Sequence, residues 1–112
     1  VYEFEEDVAA LRPDFAALRS ASEHCVIVTA PGDDCDFVSR FFGPQVGIDE
    51  DPVTGSAHCA LVPYWSKRLG QGKLRARQIS ARGGELACEL RDGRVFMSGR
   101  AVTFMRGVVV AL

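Results

Sequence analysis

Gly55-Ser56-Ala57-His58-Cys59-Ala60-Leu61-Val62-Pro63-Tyr64-Trp65-Ser66-Lys67-Arg68-Leu69 decides the fold, because it is the one long helical stretch in a chain that otherwise reads as strands and turns. Its first two turns, Ala57 to Val62, carry almost no polar side chain on any face. Such a pattern predicts a helix buried on all sides rather than an amphipathic surface helix. Pro63 removes one backbone donor and predicts a bend, Lys67 and Arg68 bring positive charge to the C-terminal end, and Gly70 supplies a stop.

Upstream of this helix, Asp7 is positioned to cap a short turn over residues 8–11, and Pro13 to open a second helical piece over 14–19. The β-branched run Cys25-Val26-Ile27-Val28-Thr29 ends at Ala30-Pro31-Gly32-Asp33-Asp34, a strand followed by a turn, and a second strand is expected from Phe37 to Phe41. Gly43, Pro44, Gly47 and the acidic triplet Asp49-Glu50-Asp51 read as a loop running into the helix. Downstream, strands are expected over residues 74–80, 85–90, 95–98 and 101–110, with turns at Arg82-Gly83-Gly84 and at the hairpin signal Asp92-Gly93. The order of two strands, a buried helix and four strands implies an α+β fold, a mostly antiparallel curled sheet wrapped around one central helix. All of residues 1–112 belong to this single domain.

Length and composition agree. The chain has 112 residues, 47% apolar and 25% charged, which suits one ordinary globular core and argues against disorder. A net charge of -2 with scattered basic residues disfavours nucleic acid as a partner. The longest apolar run, Val108 to Leu112, is far too short to span a bilayer. Val1 is followed by an acidic stretch that resembles neither a signal start nor a transit peptide, so the sequence reads as part of a longer chain. Cys25, Cys35, Cys59 and Cys88 form no CxxC pair, which disfavours zinc; each is expected to be a buried thiol, as suits the cytoplasm.

The segment from Asp49 to His58 brings carboxylates and free backbone N–H groups to the start of the helix. First-turn amides lack intrahelical acceptors, and with the macrodipole they attract anions such as a carboxylate. Gly55 lets a ligand approach the backbone, and the Ser56 hydroxyl can donate or accept beside it. Asp51 can hold an amine or hydroxyl, or move a proton. A plainer reading covers the same residues: Asp51 or Thr54 caps the helix, Pro52 fixes the loop, and Gly55 is required for packing. His58 is expected to be a satisfied structural imidazole, and adjacent helical positions point its ring away from the Cys59 thiol. Tyr64 and Trp65 are expected in a core or interface, and Arg82 is expected as a surface charge on its turn.

The run Asp51-Pro52-Val53-Thr54-Gly55-Ser56-Ala57-His58-Cys59-Ala60-Leu61, with Pro63-Tyr64-Trp65, resembles the phenazine-biosynthesis PhzF-like family of the diaminopimelate-epimerase-like superfamily. The similarity continues through Gln78-Ile79-Ser80-Ala81-Arg82-Gly83-Gly84 and Ser98-Gly99-Arg100-Ala101-Val102. The resemblance implies a pseudo-symmetric isomerase of two lobes, with this chain as the C-terminal lobe. It implies that Asp51 is a catalytic polar residue, and that Thr54, Gly55 and Ser56 form the helix start binding the carboxylate of a small metabolite, with no metal or organic cofactor. Thr54 stands where the superfamily's thiol epimerases and racemases carry cysteine, which argues against a two-cysteine mechanism. In the family the principal acid/base is a glutamate of the other lobe, accompanied by a glycine-histidine pair, and neither is present here. The chain alone is therefore expected to bind rather than turn over. Its uncovered surface implies an N-terminal lobe or a homo-oligomer as partner. The alternative is a non-catalytic ligand-binding or self-associating module of the same fold.

Overall fold

A computed structural model describes residues 1–110. Two short helices, α1 (Glu5–Ala10) and α2 (Phe15–Ala21), precede β1 (Val26–Pro31) and β2 (Phe37–Gly43). A 3-10 turn (Pro44–Val46) leads into β3 (Ile48–Asp51), and then come α3 (Gly55–Leu69), β4 (Lys73–Gln78), β5 (Gly84–Arg91) and β6 (Arg94–Ser98). The six strands form one sheet in the order β1-β2-β4-β5-β6, with β3 paired beside the second half of β2. All pairings are antiparallel except β2 with β4, which α3 connects as a crossover. Mixed helix and sheet of this kind is the α+β class expected.

Packing explains the main core. Phe37 of β2 stacks on Trp65 at 5.7 Å, and Val62, Leu61 and Ala57 face Leu74, Ala76, Leu86 and Cys88 of β4 and β5. The Trp65 indole N–H, which would otherwise be a buried orphan, donates to Thr29 Oγ1 at 3.0 Å, and that hydroxyl donates to the Val38 carbonyl. Val8 of α1 forms a smaller core with Ala30 and Val38 on the other side of the sheet. The hairpin at Asp92-Gly93 has positive φ at both residues (51° and 72°), as its turn requires.

Four expectations change. α3 is buried on one face only: the sheet is open, so Cys59, Ala60, Pro63, Tyr64 and Lys67 remain exposed although the sequence is apolar all round. Asp49-Glu50-Asp51 is part of a strand rather than a loop, because β2 offers it an edge and Arg40 holds it there. Residues 101–110 form no strand; with no neighbour among the described residues, an extended segment has nothing to complete its ladder. The N-cap of α1 is Phe4, placing Asp7 within the first turn together with Glu5 and Glu6, where acidic charge still suits the helix dipole. α2 is capped by Asp14, whose carboxylate accepts from the Ala17 amide at 2.9 Å.

Candidate functional site

The three acids of β3 separate into three roles. Asp49 makes a long, exposed ion pair with Arg19 at 3.6 Å. Glu50 takes a two-point grip from Arg40, at 2.7 Å from Nε and 2.9 Å from Nη2. Arg40 also donates to the carbonyls of Val8 and Leu11, and the paired carboxylate holds its guanidinium above its ordinary pKa. Asp51, at the strand end, is left facing the helix, where its Oδ2 accepts the hydroxyl hydrogen of Thr54.

Thr54 is the N-cap of α3, yet its side chain caps nothing. Its hydroxyl is spent on Asp51, its N–H donates to Gln78 Oε1 at 2.7 Å, and its carbonyl accepts from His58 Nδ1 at 2.8 Å. The first-turn amides of Gly55, Ser56 and Ala57 consequently have no acceptor among the described residues. Gly55 and Ser56 are exposed, so the mouth of the helix opens to solvent. At Gly55, φ is not positive, and no atom outside its own helix and chain neighbours lies within 4 Å of where a Cβ would stand. Neither packing nor backbone conformation thus requires a glycine at this position.

Gln78, at the end of β4 and almost fully buried, holds this arrangement and was missed from the sequence. Besides accepting from Thr54 N, its amide donates to the Asp51 carbonyl at 2.7 Å and to Thr54 Oγ1 at 3.0 Å. Two positions on, Ser80 Oγ donates to the Pro52 carbonyl at 2.8 Å and accepts from Gly83 N at 3.0 Å. Gly84 lies against Val53 so closely that a Cβ would overlap the valine methyl. The available signal was a polar amide at an inward-facing strand position, since burying Gln demands partners.

His58 is fully buried beneath the helix mouth and partly stacked on Phe37. The carbonyl at Nδ1 fixes the proton there, leaving Nε2 as a buried lone pair without a partner. Burial pushes its pKa below the ordinary value, opposed in part by the Thr54 carbonyl. This is the structural imidazole expected, with one nitrogen left unsatisfied. The cysteines need correction: Cys88 is buried, and burial drives its thiol up to about 11, but Cys25 and Cys35 are half-buried and Cys59 is exposed on the open face of α3. Trp65 is core and Tyr64 is exposed. Arg82 lies with Val53 and Arg100 on the wall of an open cavity of about 540 Å³. Among the described residues, no three His, Cys, Asp or Glu side chains are grouped to hold a metal, and no helix is long and apolar enough to cross a membrane.

The model of a family described as phenazine biosynthesis-like protein, PhzC-PhzF, matches residues 1–107. The chain belongs to the PhzC-PhzF family. An uncharacterised isomerase of Pseudomonas aeruginosa is 59% identical over 105 residues, a match covering 94% of this chain and 40% of the relative. A crystal structure of a PhzF-family phenazine biosynthesis protein from Enterococcus faecalis superposes with a TM-score of 0.87 at 52% identity, over 94% of this chain and 40% of that one. A putative PhzC/PhzF protein from Clostridium difficile gives 0.86 at 47% identity, over 97% and 42%. The chain therefore spans about two fifths of the length of each of these three proteins.

Proposed function

We propose that this chain is the C-terminal lobe of a two-lobe isomerase that moves a proton on a small carboxylate-bearing metabolite without metal or organic cofactor. The isomerase name of the Pseudomonas relative and the family membership support the general class. The observation that carries the site is Gly55, a glycine with neither a packing nor a conformational reason, next to amides with free donors. A substrate carboxylate there would accept from the amides of Gly55 and Ser56 and from the Ser56 hydroxyl, in the positive field of α3.

Asp51 then stands beside the bound anion, oriented by Thr54, where it holds a substrate amine or hydroxyl or exchanges a proton with it. Thr54 serves the cradle by positioning Asp51 and presenting the first amides. The remaining catalytic group comes from the other lobe, so binding without turnover is expected of this chain alone. Positioning two carboxyl groups about one carbon skeleton supplies the rate enhancement. The partner at the uncovered surface is that lobe or a second copy, and the compartment is the cytoplasm, in keeping with four unpaired cysteines.

The test uses the complete protein that contains this lobe, following isomerisation by solvent deuterium uptake. Asp51→Asn is expected to abolish exchange, and Ser56→Ala to raise the KM for carboxylate substrates. Unchanged kinetics in both variants would discard the site.

A further inference from the structure

We propose that Gln78 and Thr54 form a one-way hydrogen-bond relay that keeps Asp51 Oδ2 an acceptor, so that Oδ1 is the oxygen at which Asp51 meets a substrate proton. The relay presupposes the role given to Asp51 above, and adds to it the two positioning residues that orient its carboxylate. The face of β4 that carries Leu74 and Ala76 into the core ends in Gln78, an amide only 1% exposed. A polar group buried that deeply needs its hydrogen bonds satisfied, and each partner of Gln78 belongs to Asp51 or Thr54.

Two backbone groups fix the direction of every bond in the relay. The Thr54 N–H can only donate and the Asp51 carbonyl can only accept, so Gln78 sets Oε1 on the first at 2.7 Å and Nε2 on the second at 2.7 Å. Turning the amide over would place N–H against N–H and carbonyl against carbonyl. Nε2 carries a second hydrogen, and Thr54 Oγ1 accepts it at 3.0 Å. The single hydrogen of the threonine hydroxyl is thereby sent to Asp51 Oδ2.

A proton on Oδ2 would meet the threonine hydrogen head-on, and that hydrogen has no other acceptor among the described residues. Oδ1 has no hydrogen-bond partner among the described residues, and Asp51 is half-buried, so this is the oxygen left for a ligand. Asp51 therefore rests as an acceptor on both oxygens. A substrate amine or hydroxyl donates to Oδ1. A proton taken from the substrate forms its O–H bond there, while the electron pair of the broken bond stays on the substrate, and the same oxygen gives the proton back. Chained hydrogen bonds away from water polarise one another, so Gln78 acts on the Asp51 carboxylate without touching it.

The test follows solvent deuterium uptake in the complete protein that contains this lobe, with Asp51→Asn as reference. Retained exchange in that variant would discard the role of Asp51, and the relay with it. Where Asp51→Asn abolishes exchange, Thr54→Val removes the donor to Oδ2 and is expected to lower kcat by about 10- to 150-fold. KM should hold, since the amides of Gly55 and Ser56 are untouched. Thr54→Ser keeps the hydroxyl and should recover kcat. Gln78→Glu takes away both donated hydrogens, so it should lower kcat alone and add nothing to Thr54→Val. If Gln78→Glu does not fold, the Gln78 side-chain amide, followed by 15N NMR, is expected to shift on Thr54→Val and to keep its place on Thr54→Ser. A merely structural role would cost stability without separating kcat from KM or serine from valine. Normal kcat in Thr54→Val, equal losses in the serine and valine variants, additive losses in the double variant, or a Gln78 amide indifferent to Thr54→Val would overturn the relay and leave the role of Asp51 standing.

Discussion

Gly55→Ala separates a glycine kept for ligand access from one kept for structure. Space for the methyl group is open and the backbone is not left-handed, so the folded state accepts alanine without strain. Alanine reduces the freedom of the unfolded chain, and the expected gain is about 0.4–1 kcal/mol, or a Tm rise of about 2–5 °C for a domain this size. At the proposed carboxylate site the added methyl group is expected to crowd the anion and cost at least one charge-assisted hydrogen bond, a loss of about 1.5–3 kcal/mol, or roughly 10- to 150-fold in affinity. Thermal unfolding with and without a small carboxylate reads both effects. Wild-type protein at ten times its Kd should gain about 1.4 kcal/mol from the ligand, while the variant starts higher and gains little. A variant that is less stable without ligand, or equally stabilised by it, would refute this reasoning.

Gln78→Leu keeps the volume but strands the Thr54 N–H and the Asp51 carbonyl, so urea unfolding should show a loss of about 2–4 kcal/mol, with faster hydrogen exchange at Thr54. Burial holds folded His58 below its ordinary pKa, so as pH falls the unfolded chain takes up a proton first, near pH 6.5. Its contribution is therefore intact above that pH and lost as pH falls through the depressed folded value. His58→Asn should flatten that dependence on pH in equilibrium unfolding followed from pH 7.5 downward. Native alkylation followed by mass spectrometry should label Cys59 promptly and Cys88 only after unfolding, since one thiol is exposed and the other is buried with its pKa raised to about 11.

The helix and most strands were legible because their signals are local: an apolar run from Ala57 to Val62, the Gly70 stop, β-branched Val26-Ile27-Val28 and the Asp92-Gly93 turn. β3 was hidden because acidic residues have low strand propensity and its stability comes from a distant partner, Arg40. The open face of α3 was hidden because composition reports that a surface is apolar, not whether a neighbour covers it. The strand expected at 101–110 does not form: its residues are apolar as a strand pattern requires, but a strand is a property of a pair, and no partner lies among the described residues. At the candidate site, Asp51, Thr54, Gly55 and Ser56 lie together because they are contiguous around one helix start. The support from Gln78 and Ser80 crosses more than 20 residues of sequence, a distance over which single-chain spacing carries no signal.

The most direct test is a two-dimensional amide NMR titration of this chain with sodium acetate, using sodium chloride at matched ionic strength as control. The expected result is a saturable shift of the Gly55, Ser56 and Ala57 amides, specific to carboxylate, that Gly55→Ala abolishes. Shifts that are linear, spread over the surface or equal with chloride would contradict an anion site at the mouth of α3.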